Sequence, residues 1–582
     1  MRRLRSPVSV DLCWTLLLAV AILLPLFLGP GTWLLGDMVF VPHQPWKAAW
    51  LGLDDSLPRA VPMDALVSLA TYVVSGAWLQ RILLTGGLLL AGLGTGRVLA
   101  RHAWYARAAG IALFVWNPWV LERLLIGQWA ILLGYLLLPW VALAARRLRT
   151  DPRSAWGPAA LALAASAVCS PSSGVMAVVV LAVLGLTRDR AGWWRLGVVA
   201  VVANLPWLAP TLTATSVHIS TDGVFAGFAA RAESGAGVLA SLLTLGGIWK
   251  TSIVPDARGS AALVLLSLLL TLAALAGLRR AVRDEPGEWP RWLLLGAGAL
   301  VVALVPALPG GSEALEWAAA RVPGLALLRD SHRFLAPLGL VLALGAGGAA
   351  TAVRERVRPG RGALWSVVGL LVVAPVLLLP SLAWGAAGEL QRSSYPRSWS
   401  DVADLLDEDP GTTVVLPWAG SYRSFAWDHR RAVLDPAPRF FPGEVLIDDR
   451  IYLDDVVVPS EDPRVADVGR ALGSDDPAGA LQALGVRWVL VEEGTGAVAV
   501  PDGGVRYDDG GLRLVDLGAP AAGPPTRSKV LVALVTLVDT LFVLLIFNGI
   551  RSILRSGSNR RHSVSATAPP TGPGEDRGRR TD

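Results

Sequence analysis

Long apolar runs, separated by short clusters of charged residues, dominate the first 384 positions of the chain. A helix needs roughly 20 apolar residues to cross the hydrocarbon core of a bilayer. The pattern therefore predicts about twelve membrane-spanning helices, near 11–35, 82–100, 108–121, 128–145, 156–169, 174–187, 192–212, 260–278, 292–309, 334–352, 364–384 and 529–550. The first run follows a basic segment, as in a secretory signal. It is long enough to span, however, and no small-residue cleavage site follows it, so we interpret it as a retained helix.

Basic residues mark alternate junctions between these apolar runs. Arginine-rich clusters stand at 2–5, 101–107, 146–153, 187–190, 278–283, 354–361 and 551–561. Cytoplasmic loops are enriched in Lys and Arg, so we predict a multi-pass protein of the plasma membrane with both termini in the cytoplasm. The external side then receives the loops 36–81, 213–259 and 310–333, and the segment 385–528.

The segment 385–528 has the composition of a soluble domain. Acidic residues outnumber basic ones there, whereas the rest of the chain is basic. Runs rich in β-branched residues predict strands at 412–416, 486–493 and 512–517. The expected fold is an α-helical polytopic membrane protein with a small external α/β domain. We divide the chain into a transmembrane domain (1–384), the external domain (385–528), a last spanning helix (529–550) and a disordered cytoplasmic tail rich in Ser, Pro, Gly and Arg (551–582).

Composition narrows the function classes. Of the 582 residues, 53% are hydrophobic and only 17% charged, against about 25% charged in soluble domains. The two cysteines, Cys13 and Cys169, lie in apolar surroundings, which disfavours a disulfide scaffold or a thiolate zinc site. No P-loop, dinucleotide fingerprint, zincin motif or serine-hydrolase elbow is convincing, and we expect no nucleic-acid partner.

Asp37 is the first candidate for chemistry. It follows the first predicted helix directly, at the membrane interface, where an acid is costly unless it is paired or faces a polar cavity. It could act as a general base or orient a metal ion, or it could simply mark the end of the helix. The same loop adds candidates for substrate binding at His43, Arg59 and Asp64, although a solvated surface loop is the favoured interpretation for each of them alone.

A second cluster, LLRDSHRFLAP, places Arg329, His332 and Arg333 just before a predicted span. Guanidinium groups match phosphate oxygens in shape and charge, so this cluster suits a phosphate held at headgroup depth. Ordinary contacts with lipid headgroups, or an ion pair between Arg333 and Asp330, are the alternatives. The neighbouring pair Trp249 and Lys250, in loop 213–259, could stack on a sugar and touch a phosphate, or anchor the chain at the interface.

Together these features resemble the GT-C superfamily of membrane glycosyltransferases. In that superfamily an acid stands near the end of the first helix, as Asp37 does in LGDMVF, although many members carry an adjacent acidic pair where this chain has Met38. A later basic group corresponds to Arg329, His332 and Arg333, and an external C-terminal domain to 385–528. The runs LRDSHRF and LGVRWVLVEE are similar to YfhO-type membrane proteins and to actinobacterial arabinofuranosyl- and mannosyltransferases.

The resemblance implies transfer of arabinofuranose or mannose from a polyprenyl-phosphate-linked sugar to an envelope glycan or lipid acceptor on the external face. Asp37 would accept the proton of the acceptor hydroxyl, and the basic cluster would hold the lipid phosphate. A divalent cation is optional in the superfamily, and no ligand set in the sequence demands one. Two other classes stay open: a transporter of lipid-linked saccharides, disfavoured because most spans are almost free of charge, and a non-catalytic protein of envelope assembly.

Overall fold

The computed structural model describes residues 7–54, 60–213, 223–285, 287–322, 324–356, 362–453, 456–460, 462–496, 499–520 and 528–565. Arg59, predicted to bind substrate, lies outside these ranges. Long helices form most of the described chain, and they have the bounds Pro7–Phe27, Gly76–Val98, Trp104–Val115, Pro118–Ile126, Trp129–Thr150, Pro152–Cys169, Pro171–Gly185, Arg190–Thr213, Ala261–Ala281, Glu288–Leu304, Ala336–Glu355, Gly362–Leu378 and Lys529–Ser565. Shorter helices connect them at Met63–Thr71, Val224–Gly227, Gly237–Leu243, Gly311–Ala319 and Ala383–Ala387.

The predicted polytopic membrane fold is confirmed. Within the described ranges, nine helices are long and apolar enough to cross a membrane, or ten if the bent pair Trp365–Leu378 and Pro380–Ala387 forms one span. Two further apolar helices, Ser154–Cys169 and Pro171–Gly185, are shorter than a full span. They coincide with two of the predicted segments, so each predicted run corresponds to an apolar helix.

Helix Ala336–Glu355 lies at the centre of the membrane domain, and nearly all of it is buried. Its glycines allow the neighbouring helix Ala261–Ala281 to approach closely. A Cβ atom on Gly345 would lie 2.1 Å from the carbonyl oxygen of Ala274, and one on Gly348 equally close to that of Gly277. Small residues at these positions therefore permit the backbone contact, as expected for packing between membrane helices.

Two predicted boundaries are wrong. The first helix ends at Phe27 rather than near 35, because Pro30 cannot continue a helix and Gly31 adopts a φ of +93°. At the other end, the last helix continues to Ser565, so the disordered tail predicted from 551 does not hold for residues 551–565.

The C-terminal domain is an α/β unit, as predicted. Its five-stranded sheet has the spatial order Gly504–Asp509, Leu512–Asp516, Val486–Glu492, Thr412–Leu416 and Val445–Leu446. The first two pairings are antiparallel and the last two are parallel. Its helices are Arg397–Glu408, Ala437–Phe440, Pro463–Leu472 and Pro477–Ala483, and two-residue and three-residue ladders pair Tyr422–Arg423 with Val433–Leu434 and Ile451–Leu453 with Val456–Val458.

The loop that follows the first helix, residues 36–81 and hereafter the first loop, is built into the C-terminal domain. Just before it, Thr32–Trp33 pairs with Arg392–Ser393. The Gly36 N–H then donates to the carbonyl of Ala432 at 2.9 Å, and the Gly36 carbonyl accepts from the N–H of Leu434 at 2.8 Å. The membrane domain and the C-terminal domain therefore meet through these backbone contacts.

Candidate functional site

A cavity of about 630 Å³ lies where the first loop, the ends of membrane helices and the C-terminal domain meet. The membrane helices contribute Gly127–Ile131, Val168–Pro171 and Arg333. Many of the lining residues are charged. They are the acids Asp37, Asp54, Asp64, Asp435, Glu444, Asp449 and Asp462, and the bases Lys47, Arg333, Arg439 and Arg464. Its volume lies within the roughly 300–1,000 Å³ range typical of ligand-binding pockets, and its lining suits a polar ligand.

Asp37 is held in this cavity by groups from two domains. Its N–H donates to the carbonyl of Ile126 at 2.8 Å, at the end of a membrane helix. Its carboxylate Oδ1 accepts from the Tyr422 hydroxyl of the C-terminal domain at 2.6 Å. The preceding Gly36 has a φ of +55°, and a Cβ there would lie 1.9 Å from the Ile126 carbonyl oxygen. The close approach that positions Asp37 therefore requires glycine at position 36.

Arg333 is the cation that reaches the same cavity from the membrane domain. Its Nε donates to Asp330 Oδ2 at 2.7 Å, and about a quarter of its side chain is exposed. Asp330 itself is almost fully buried, and the same oxygen lies 3.6 Å from Nη1 of the buried Arg123. One carboxylate thus lies between a buried cation and a cation that faces the cavity.

His332 lies behind the cavity wall rather than in it. Its side chain is fully buried. Its Nδ1 lies 2.5 Å from Arg123 Nη2, and its Nε2 lies 3.1 Å from the Gly246 carbonyl oxygen. Since both ring nitrogens face protein groups, His332 does not occupy the place expected of a phosphate ligand. The sequence could not show this, because the contacts come from residues distant in the chain.

The other predicted residues divide between the cavity and its surroundings. Asp64 lines the cavity, where its carboxylate pairs with Arg439 at 3.2 Å. Four others are not among the lining residues, namely Arg329, His43, Trp249 and Lys250. His43 packs edge-on against Tyr72, and Trp249 packs edge-on against Phe228. The structure therefore brings together Asp37, Asp64 and Arg333 from the predicted set.

Lys47 is a lining residue that the sequence does not single out. Its Nζ donates to the carbonyl of Pro438 at 2.7 Å and lies 5.5 Å from the ring centre of Trp50. Burial lowers the pKa of this lysine to about 7, although Glu444, Asp54 and Asp64 oppose that shift by stabilising the charged form. The signal in the sequence is only a lysine between two tryptophans in WKAAW, which is equally typical of an interface.

Lys47 makes thermal stability depend on pH. The unfolded chain binds this proton up to about pH 10.4, whereas the folded protein releases it near pH 7. The free energy of unfolding therefore rises with pH between these two values. Below pH 7 the buried lysine is charged, and the full cost of burying its ammonium group lowers that free energy. We expect Lys47→Met to raise the melting temperature most near pH 6 to 7, with a gain that shrinks towards pH 9. A gain that does not change with pH would contradict this.

In the ranges that the structure describes, no group of three or more His, Cys, Asp or Glu side chains is placed to hold a metal ion. The optional divalent cation therefore has no preformed ligand set among those residues.

Comparison with known proteins reveals a structural likeness. No protein-family model matches the sequence, and no curated protein matches it. The fold does match cryo-EM structures of the arabinofuranosyltransferase AftD from mycobacteria, one with a TM-score of 0.53 at 19% identity. A structure of an AftD mutant gives 0.54 at 20% identity.

The likeness extends over most of this chain but not over most of AftD. Each match covers 88% of this chain, whereas it covers 40% and 41% of the AftD chains. This protein therefore spans about two fifths of the length of AftD. At such low identity the likeness concerns the fold alone: this chain folds like the two fifths of AftD that it matches, in agreement with the predicted helical membrane protein with a small C-terminal α/β domain.

Proposed function

We propose that this protein is a membrane glycosyltransferase that moves a sugar, arabinofuranose or mannose, from a polyprenyl-phosphate donor to an envelope glycan or lipid acceptor on the external face. One observation carries the proposal. A carboxylate that can accept a proton, Asp37, and a guanidinium that can bind a phosphate, Arg333, line a single cavity between the membrane helices and the C-terminal domain. The fold shared with AftD supports the same reaction class.

In the proposed reaction, the bond between the sugar C1 and the phosphate oxygen breaks while a bond from the acceptor oxygen to C1 forms. The lipid phosphate leaves with the electron pair, and the acceptor proton passes to Asp37. General-base catalysis requires the base within hydrogen-bond reach of that hydroxyl. The Tyr422 hydroxyl orients the carboxylate by donating to Oδ1.

Arg333 is the group proposed to meet the departing phosphate. A guanidinium stabilises charge that develops on phosphate oxygens, particularly where water is partly excluded. The Arg333 side chain faces the cavity, and its Nε is held in place because it donates a hydrogen bond to Asp330. The lining from Gly127–Ile131 and Val168–Pro171 joins the cavity to the membrane helices, which lets the polyprenyl tail stay in the bilayer during transfer.

The test is a sugar-transfer assay on the full chain in native-like membranes. Radiolabelled polyprenyl-phosphate arabinose and polyprenyl-phosphate mannose are supplied in turn with an envelope-glycan acceptor. Label appearing in the glycan above the level of membranes without the protein supports the proposal and identifies the sugar. Absence of transfer with both donors, from protein shown to be folded, would contradict it.

The two arginines predicted as phosphate ligands should respond differently to substitution. Arg333→Ala is expected to raise the donor KM by about 10- to 100-fold, since hydrogen bonds to charged groups contribute roughly 1.5–3 kcal/mol. The matched variant Arg329→Ala should change it by less than about threefold, because Arg329 does not line the cavity. Equal effects of the two substitutions would show that cavity placement does not determine phosphate recognition.

A further inference from the structure

The cavity lining is unevenly charged. Arg333 is the one charged side chain supplied by the membrane-helix part of the described lining, and the first loop and the C-terminal domain supply the others. In that second part, the seven acids named above face three lining bases, Lys47, Arg439 and Arg464, and Asp435 also pairs with Arg423 behind the lining at 3.3 Å. A lining with such an excess of carboxylates repels anions and tolerates neutral or cationic ligands.

The three bases in this part of the lining are engaged by protein groups. Arg439 pairs with Asp64 at 3.2 Å, and Arg464 pairs with Asp462 at 2.7 Å and with Glu444. Lys47 donates to the Pro438 carbonyl. The two arginines therefore compensate neighbouring acids, the lysine is engaged by a backbone carbonyl, and the three do not create a second anion site beside Arg333.

Two tryptophans of the first loop line the same part of the cavity. Trp46 is 42% exposed, so much of its ring surface is available to a ligand in the cavity that it lines. The Trp50 ring is fixed, because its indole N–H donates to the Pro45 carbonyl at 2.9 Å and Lys47 lies over its face. Flat aromatic surfaces pack against the C–H faces of sugar rings, while adjacent carboxylates accept hydrogen bonds from sugar hydroxyls.

We propose that the wall around Trp46 and Trp50 is the acceptor subsite, and that it takes an uncharged glycan while rejecting anionic acceptors. This inference rests on the proposed glycosyltransferase function and specifies its acceptor class. The subsite shares the cavity with Asp37, the group proposed to take the acceptor proton. The negative lining separates the two substrates by charge. The anionic donor is attracted to Arg333, and the neutral acceptor occupies the acidic part of the cavity.

The first arm of the test measures binding without the reaction. Saturation-transfer NMR follows a neutral arabinose or mannose oligosaccharide, and an equally long oligosaccharide carrying uronic acids, on the full chain in nanodiscs. We expect signal from the neutral oligosaccharide that falls at least about fivefold in Trp46→Ala and Trp50→Ala. Trp317→Ala is the matched control, because Trp317 is 62% exposed, stacks with Arg321 and does not line the cavity. It should retain the signal.

The second arm measures transfer to the same two acceptors. The tryptophan variants are expected to raise the acceptor KM by about tenfold or more while the donor KM changes by less than about twofold. Equal binding and equal use of the uronic-acid oligosaccharide, or tryptophan variants indistinguishable from Trp317→Ala, would overturn the proposal. If no sugar is transferred but neutral oligosaccharide binding still depends on Trp46 and Trp50, the transferase function fails and the glycan site stands.

Discussion

Asp37→Asn is expected to lower the turnover of sugar transfer by about 10²- to 10⁴-fold, the usual contribution of a positioned general base. Asparagine keeps the shape of the side chain, and its carbonyl oxygen can still accept from the Tyr422 hydroxyl, so the protein should fold and bind both substrates. The variant lacks the carboxylate that would take the proton from the attacking hydroxyl. The acceptor KM and donor KM should therefore change little while kcat falls.

Two further variants separate this role from a general disturbance of the cavity. Tyr422→Phe removes the hydroxyl that orients Asp37 and should cost about 3- to 10-fold in kcat, well below the loss of the carboxylate itself. Asp64→Asn changes another lining acid, one that is paired with Arg439, and should retain most of the turnover. Wild-type rates in Asp37→Asn would exclude it as the base and direct attention to Lys47, which lines the same cavity and has a pKa of about 7.

The membrane architecture could be predicted because its determinants are local. An apolar run of sufficient length must form a helix in a bilayer, since every backbone polar group has to be satisfied within the segment. The strands at Thr412–Leu416, Val486–Glu492 and Leu512–Asp516 are likewise rich in β-branched and aromatic residues, and they lie where their patterns predict. The end of the first helix was missed because the length of the apolar run outweighed the local signal of Pro30.

The site was harder to predict, because it is assembled from parts of the chain that are far apart. Tyr422 and Asp37 are separated by 385 positions, and Lys47 and Pro438 by 391. Residue types alone made Asp37 and Arg333 candidates, since charged residues at helix ends near a membrane are costly, and both line the cavity. They could not distinguish Arg333, which faces the cavity, from His332 next to it, which is fully buried. That distinction depends on how the chain turns just before helix Ala336–Glu355.

The sequence also underestimated the charge buried beside the membrane helices. Most predicted spans look almost free of charge, yet Asp11 and Arg107 form a buried pair, with Nε 2.9 and 3.0 Å from the two carboxylate oxygens. Arg123 is completely buried and lies near Asp330. Buried charges are tolerated when they compensate each other, and such compensation between distant segments becomes visible only in three dimensions.

Asp330→Asn is expected to lower the free energy of unfolding by about 3–5 kcal/mol, the usual cost of removing one partner from a buried ion pair. The substitution removes the negative charge that lies beside the buried Arg123, and it leaves Arg333 Nε only a neutral amide oxygen as its acceptor. Asp467→Asn is the matched control, because it breaks an exposed pair with Arg470. Such pairs typically contribute about 0–1 kcal/mol. Unfolding midpoints of the reconstituted protein provide the measurement.

The same carboxylate should also affect donor recognition, since it fixes the guanidinium that faces the cavity. A purely structural role for Asp330 predicts loss of folded protein with an unchanged donor KM in the fraction that folds. A positioning role predicts that this fraction has a raised donor KM, and that adding Asp330→Asn to Arg333→Ala raises it little further. Double-mutant cycles distinguish these cases. Additive effects on donor KM would show that Asp330 does not act through Arg333, whereas strong coupling would connect the stability of the buried cluster directly to recognition of the lipid phosphate.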